Sequence, residues 1–191
     1  MGEHSVVYGQ PAIAMPFSAV EIIAKVTAQG EALSVDCDFY KGLVHKMPKI
    51  WESLKHAIRF SLYRIGAPTD PAIHIKISST IPAERGMGSS AAVAVAVARA
   101  LFAHYEKILT DKELWEIVQS SEKIAHGNPS GIDAATTSGK SPVFFIKNQP
   151  MEPLELKLSA YLVVADTGVT GNTLEAISDV ADLLEKKPEA M

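Results

Sequence analysis

The sequence predicts a globular chain in which β-strands and α-helices are mixed, on three observations. Ala72 to Ser79 (Ala-Ile-His-Ile-Lys-Ile-Ser-Ser) alternates apolar and polar side chains, the period of a half-buried strand. Ala91 to Tyr105 is rich in Ala and Val and long enough for a helix. Pro48 to Ile65 sets Ile50, Leu54, Ala57, Ile58, Ser61 and Leu62 on one helical face, with Pro48 near its start and Gly66 just past its end.

A chain of 191 residues suffices for one substantial core or two small domains. With 47% apolar and 21% charged residues it is globular and not disordered. The formal charge of −4, with Lys and Arg scattered singly, lacks the basic footprint of a nucleic-acid binder. Cys37 is the one cysteine, so no internal disulfide can form and a reducing compartment is expected. Its plain reading is a small core residue in a strand. No apolar run reaches transmembrane length. Met1-Gly2-Glu3-His4 does not open a secretory signal, and Val6 stands where a myristoylation pattern needs Ser or Thr. A soluble, cytoplasmic protein is expected, with neither nucleic acid nor membrane as partner.

Along the chain, Gly2 to Gly9 is polar, and Pro11 to Met15 and Val20 to Ala28 follow as apolar stretches, the second reading as a strand. Ala32 to Asp36 reads as its return strand after a turn at Gly30, and Trp51 as a packing residue. Gly66 to Pro71 links into the strand at Ile73 to Ile77. Ala92, Ala94, Ala96, Ala98 and Ala100 predict a helix closely packed on its neighbours. Thr110-Asp111-Lys112-Glu113 fits a capping box. The helix it opens should run to about Ala125, with Leu114, Ile117, Val118, Ser121 and Ile124 or Ala125 inward. His126 to Asp133 is a turn-rich loop. Val143 to Ile146, Glu155 to Leu158 and Tyr161 to Ala165 read as strands, and Asn172 to Leu184 as a final helix.

Between the strand at Ile73 and the helix at Ala91 lies Pro82-Ala83-Glu84-Arg85-Gly86-Met87-Gly88-Ser89-Ser90-Ala91-Ala92. Glycines let the backbone come close to a ligand, and the free N–H groups of the following helix attract negative charge. A strand-to-helix turn with a Ser cap is the alternative. Asp166 to Gly171, after the strand ending at Ala165, would suit a second polar substrate, although a capped turn explains most of it. Gly139-Lys140-Ser141 is not a Walker A loop, since Ala134 replaces the leading glycine and Pro142 and a strand follow. Glu122 and His126, four apart on one helical face, are a metal-binding pair or an exposed pair, and no Cys or His cluster supports zinc. A triad of Ser90, His126 and Asp133 lacks the G-x-S-x-G elbow and is set aside.

Four motifs in order resemble the GHMP kinases and, within them, the mevalonate kinases. They are Gly2-Glu3-His4-Ser5-Val6-Val7-Tyr8-Gly9, Pro82 to Ala92, His126-Gly127-Asn128-Pro129-Ser130-Gly131-Ile132-Asp133 and Ala165-Asp166-Thr167-Gly168. Met87 and Phe144-Phe145-Ile146-Lys147-Asn148 are similar to the bacterial, Gram-positive branch. The resemblance implies an α+β, two-domain fold with the active site in the cleft between the domains and a left-handed βαβ crossover in the first. Residues 1–155 would be the N-terminal, ATP-binding domain and 156–191 the start of the second, with the break near Pro150 to Ser159.

By the same resemblance the activity is ATP-dependent phosphorylation of the 5-hydroxyl of (R)-mevalonate, a step of isoprenoid synthesis, with ATP and Mg²⁺ as cofactors. Pro82 to Ala92 would hold the ATP phosphates, and Ser90 and Glu122 would bind Mg²⁺, with Ser89 beside them. Asp133 matches the catalytic aspartate, Glu3, His4 and Thr167 match positions lining the mevalonate site, and a homodimer is compatible with the family. An Asp of ordinary pKa is a weak base at neutral pH, which favours orienting the hydroxyl over early proton abstraction. The family's catalytic lysine precedes the first motif and its second glycine-rich loop lies far beyond the last, so the resemblance implies a kinase missing both ends. Another GHMP kinase, such as phosphomevalonate kinase, and a non-catalytic nucleotide-binding remnant are the alternatives.

Overall fold

The structure, a computed structural model, describes residues 2, 4–17, 19–80, 89–127, 129–139, 141–155, 163–165 and 173–186. Its larger sheet has four strands in the order β2-β5-β3-β4, formed by β2 (Ile22–Thr27), β3 (Ser34–Cys37), β4 (Tyr40–Leu43) and β5 (His74–Ser79). Ile75 and Ile77 of β5 are buried while Lys76 and Ser78 face outward, as a period of two requires. The return hairpin expected after Gly30 does not form: β5 pairs antiparallel with β2 and parallel with β3, and so lies between them. The physical reason is the apolar row Val26, Ile75 and Val35, which these registers align across three strands under the helices. β4, paired antiparallel with β3, was not expected from the sequence.

Helix α1 (Glu52–Ile65) buries Leu54, Ala57, Ile58, Ser61 and Leu62 as predicted. Ile50 is a correction, being 81% exposed. It belongs to a 3₁₀ turn, Lys49–Trp51, whose three residues per turn carry it off the α-helical stripe. Trp51 packs, as expected, by stacking on Phe39 with ring centroids 5.9 Å apart. Gly66, at φ 77°, closes α1 with its N–H directed at the Leu62 and Tyr63 carbonyls.

Helix α2 (Ser89–His104) covers β2 and touches α1, α3 (Asp111–His126) and α4 (Ile132–Ser138). Buried Ala91, Ala94 and Ala98 share a core with Ala57 of α1 and Ala134 of α4, so the expected close packing is present. The capping box at α3 is formed: the Glu113 N–H donates to Thr110 Oγ1 and the Thr110 N–H to Glu113 Oε2, each at 3.2 Å. Leu114, Ile117, Val118 and Ser121 are buried, whereas Ile124 and Ala125 are exposed. Glu122 takes the inward position instead, because α2 and α4 cover that side of the last turns.

A second, antiparallel sheet joins β1 (Ala12–Ala14), β6 (Val143–Phe145) and β7 (Glu152–Pro153) in the order β1-β6-β7. Val6, Ala12, Ile132 and Phe145 form a small core beneath it, which ties the N-terminal motif to the start of α4. Helix α5 (Thr173–Lys186) meets the 3₁₀ turn Ser5–Tyr8. The strands expected at Glu155 to Leu158 and Tyr161 to Ala165 fall partly outside the described residues. Where described, Glu155 and Val163 to Ala165 are exposed and lie outside the assigned strands. No helix among the described residues is long and apolar enough to cross a membrane.

Candidate active site

Three helix ends meet at one place. Ser90 lies in the first turn of α2, Glu122 and His126 in the last turns of α3, and Asp133 in the first turn of α4. The apolar stripes of α2 and α3 bring the first three together, since Ala91 and Ala94 pack with Ile117 and Val118 in one core. Gly131, buried and left-handed at φ 93°, turns the chain into α4 and so delivers Asp133. The Ser130 hydroxyl steadies that turn by accepting the Ile132 N–H at 3.3 Å.

Glu122 is the unusual group. Its side chain is 2% exposed, its Oε2 lies 3.6 Å from His126 Nε2, and its Oε1 is buried with no hydrogen-bond partner. His126 Nε2 is also 3.4 Å from Ser90 Oγ. Burial pushes the Glu122 carboxyl above its ordinary value; a hydrogen bond from Ser90 and the nearness of His126 oppose this, and the charge of Asp133 adds to it. The exposed-pair alternative for Glu122 and His126 is therefore overturned: the carboxylate is enclosed.

A buried acceptor without a donor favours a cation. Among the described residues no group of three or more His, Cys, Asp or Glu could hold a metal unaided. Magnesium does not require one, because it keeps several waters and takes one or two carboxylates together with substrate phosphates. The bare Oε1 of Glu122 and the hydroxyl of Ser90 fit that donor set.

The remaining expected residues divide. Ser89 opens α2, and Ala91 and Ala92 continue its first turn, Ala91 being fully buried. Asp133 is exposed at the start of α4. His4 is half-buried at the N-cap of the turn Ser5–Tyr8, and its carbonyl accepts the Val7 N–H at 3.3 Å. Among the described residues it takes no part in the Glu122 cluster. Glu3, Pro82 to Gly88 and Thr167 lie outside the described residues. Two neighbours complete the cluster: His126, which the sequence offered as a possible metal-binding partner of Glu122 and which stands at the centre, and Gln119, which it did not single out and whose Oε1 is buried without a partner beside Gly131. Their signal was a polar line, Gln119, Glu122 and His126, at the three- and four-residue spacing of one helical face.

Comparison with known proteins agrees with this architecture. Residues 50–140 match the family described as GHMP kinases N terminal domain. Over those residues the chain carries a GHMP kinase N-terminal domain, and its mixed helix and strand fold is that of solved mevalonate kinases. It is similar to a mevalonate kinase of Pyrococcus horikoshii, at 32% identity over 98% of this chain and 60% of that protein. Among solved structures it is similar to L. major mevalonate kinase in complex with R-mevalonate, at 26% identity and a TM-score of 0.76 over 100% of this chain and 60% of the other. Mevalonate kinase from methicillin-resistant Staphylococcus aureus MRSA252 is 34% identical, with a TM-score of 0.62 over 98% of this chain and 64% of the other. The chain thus spans about 60% of the length of the curated relatives it matches.

Proposed function

We propose that this chain supplies the nucleotide and substrate site of a mevalonate kinase, which transfers the γ-phosphoryl of ATP to the 5-hydroxyl of (R)-mevalonate. The observation that carries the reading is the enclosed Glu122 carboxylate, one oxygen bare, beside Ser90 at the N-terminus of α2 and within electrostatic reach of Asp133. Phosphoryl transfer needs charge neutralisation and in-line positioning more than covalent help from the protein. A helix N-terminus preceded by a glycine loop provides N–H groups for phosphates, and Pro82 to Ala92 is assigned that role. Ser90 and Glu122 would hold magnesium, which would supply positive charge to neutralise the phosphates.

Asp133 is assigned the acceptor hydroxyl, which it orients and whose proton it receives as the new O–P bond forms. Its exposed position at the first turn of α4 suits a group that meets a diffusing substrate. Glu3, His4 and Thr167 are assigned to mevalonate, residues 1–155 to the ATP-binding domain and 156–191 to the start of the second. The similarity to a kinase solved with R-mevalonate supports this choice of substrate within the family.

An ADP-release assay on the complete gene product tests the reading. Mevalonate-dependent turnover is expected, with loss of most of it in Asp133→Ala. Turnover with phosphomevalonate but not mevalonate would overturn the substrate, and ATP binding without turnover would favour a non-catalytic role.

A further inference from the structure

We infer that His126 is a positioning residue for the Ser90–Glu122 pair, an assignment that rests on the magnesium role proposed above for those two. The argument begins with what the carboxylate can do. An ionised carboxylate only accepts hydrogen bonds, so a ring nitrogen facing it serves best as a donor. His126 Nε2 stands 3.6 Å from Glu122 Oε2 and 3.4 Å from Ser90 Oγ, so the tautomer with its proton on Nε2 directs one N–H between both groups.

Glu122 Oε1, by contrast, has no partner. The imidazole thus draws Oε2 to one side and leaves Oε1 as the acceptor open to a ligand. A glutamate side chain has three rotatable bonds, and without that anchor either oxygen could turn to the Ser90 hydroxyl. His126 is also the outer wall of the cluster, 35% exposed where Glu122 is 2% exposed, so it stands between the carboxylate and water.

Backbone features keep the ring in place. His126 is the last residue of α3, and the Gly127 N–H donates to the Lys123 carbonyl at 2.9 Å, which closes the final turn. That turn keeps His126 at the four-residue spacing that lays its side chain over Glu122. Outer groups that orient a metal's ligands typically alter affinity 10- to 100-fold when removed.

The test uses Mn²⁺ as the probe, titrated into the 191-residue chain by electron paramagnetic resonance with ATP present. His126→Leu, which keeps bulk but has no donor, should weaken Mn²⁺ binding about tenfold. Metal-free ATP binding, followed by calorimetry, should stay unchanged. His126→Gln, whose amide N–H reaches a similar point, should restore most of the loss. Equal weakening in both variants would overturn the inference, because the donor would then be irrelevant. If Glu122→Gln loses Mn²⁺ while His126→Leu binds it like the parent, the assignment of His126 alone is overturned. If Glu122→Gln also binds normally, the magnesium role of the pair fails first. Should His126→Leu not fold, His126→Asn replaces it: it has a donor too short to reach Glu122 and should bind Mn²⁺ as weakly, and parent-like binding would overturn the inference.

Discussion

Glu122→Gln should make the protein more stable at neutral pH while removing the charge that the cation is proposed to use. The folded carboxyl holds its proton above the ordinary value of 4.5 because burial penalises the ionised form. Above that pH the folded state binds more protons than the unfolded state, so stability falls as pH rises through the folded value. Below 4.5 the group is protonated in both states and its contribution is fully retained. At neutral pH an enclosed acceptor without a partner costs about 1–3 kcal/mol. Ser90 and His126 relieve Oε2 but not Oε1, and the charge of Asp133 adds repulsion. Gln keeps the shape and one carbonyl acceptor and loses the charge, so the gain lies at the lower end, about 1 kcal/mol. For a chain of this length that is a rise of roughly 2–4 °C in Tm. Thermal unfolding followed by circular dichroism at about pH 7 and about pH 4 should show the gain only at the higher pH. Magnesium with ATP should raise the parent's Tm and leave that of Glu122→Gln nearly unchanged, since a ligand stabilises only the state that binds it. A variant that is less stable at neutral pH, or equally more stable at both, refutes the argument.

Two further substitutions test the frame around the site. Gly131→Ala should destabilise by about 1–2 kcal/mol through its left-handed backbone. Crowding is not the cause, because an added Cβ meets the Gln119 amide and Phe145 at 3.6–3.7 Å, ordinary contact. Denaturant unfolding would read the loss, and parent-like stability would argue against the turn. Thr110→Ala should cost about 1 kcal/mol by removing the side-chain acceptor of the α3 capping box. Amide hydrogen exchange should then be faster at the start of α3, and unchanged exchange there would count against the cap.

The pattern of residues reached far into this fold where signals are local. The alternation at Ile73 to Ile77, the stripe Leu54 to Leu62 and the box Thr110 to Glu113 each reappear as elements of the structure. Local signals failed where geometry depends on a distant partner. Ile50 had the right spacing for an α-helix, but a 3₁₀ turn carries it into solvent. β3 had the pattern of a return strand, yet its neighbours are β4 and β5, because the best apolar row is made with Ile75 from 40 residues along the chain.

The candidate site divides the same way. The sequence named Ser90, Glu122 and Asp133 as candidates through its resemblance to one family, and the family match and fold agree with that resemblance. It did not say that Glu122 is enclosed, because spacing alone leaves an i, i+4 pair equally able to face water. Burial is a property of α2 and α4 closing over α3, and only the assembled helices decide it. With that enclosure come the bare Oε1, the raised carboxyl and the place of His126 between Ser90 and Glu122. The chemistry was written along the chain as residue types, and its electrostatics arose only when three helix ends shut out the water.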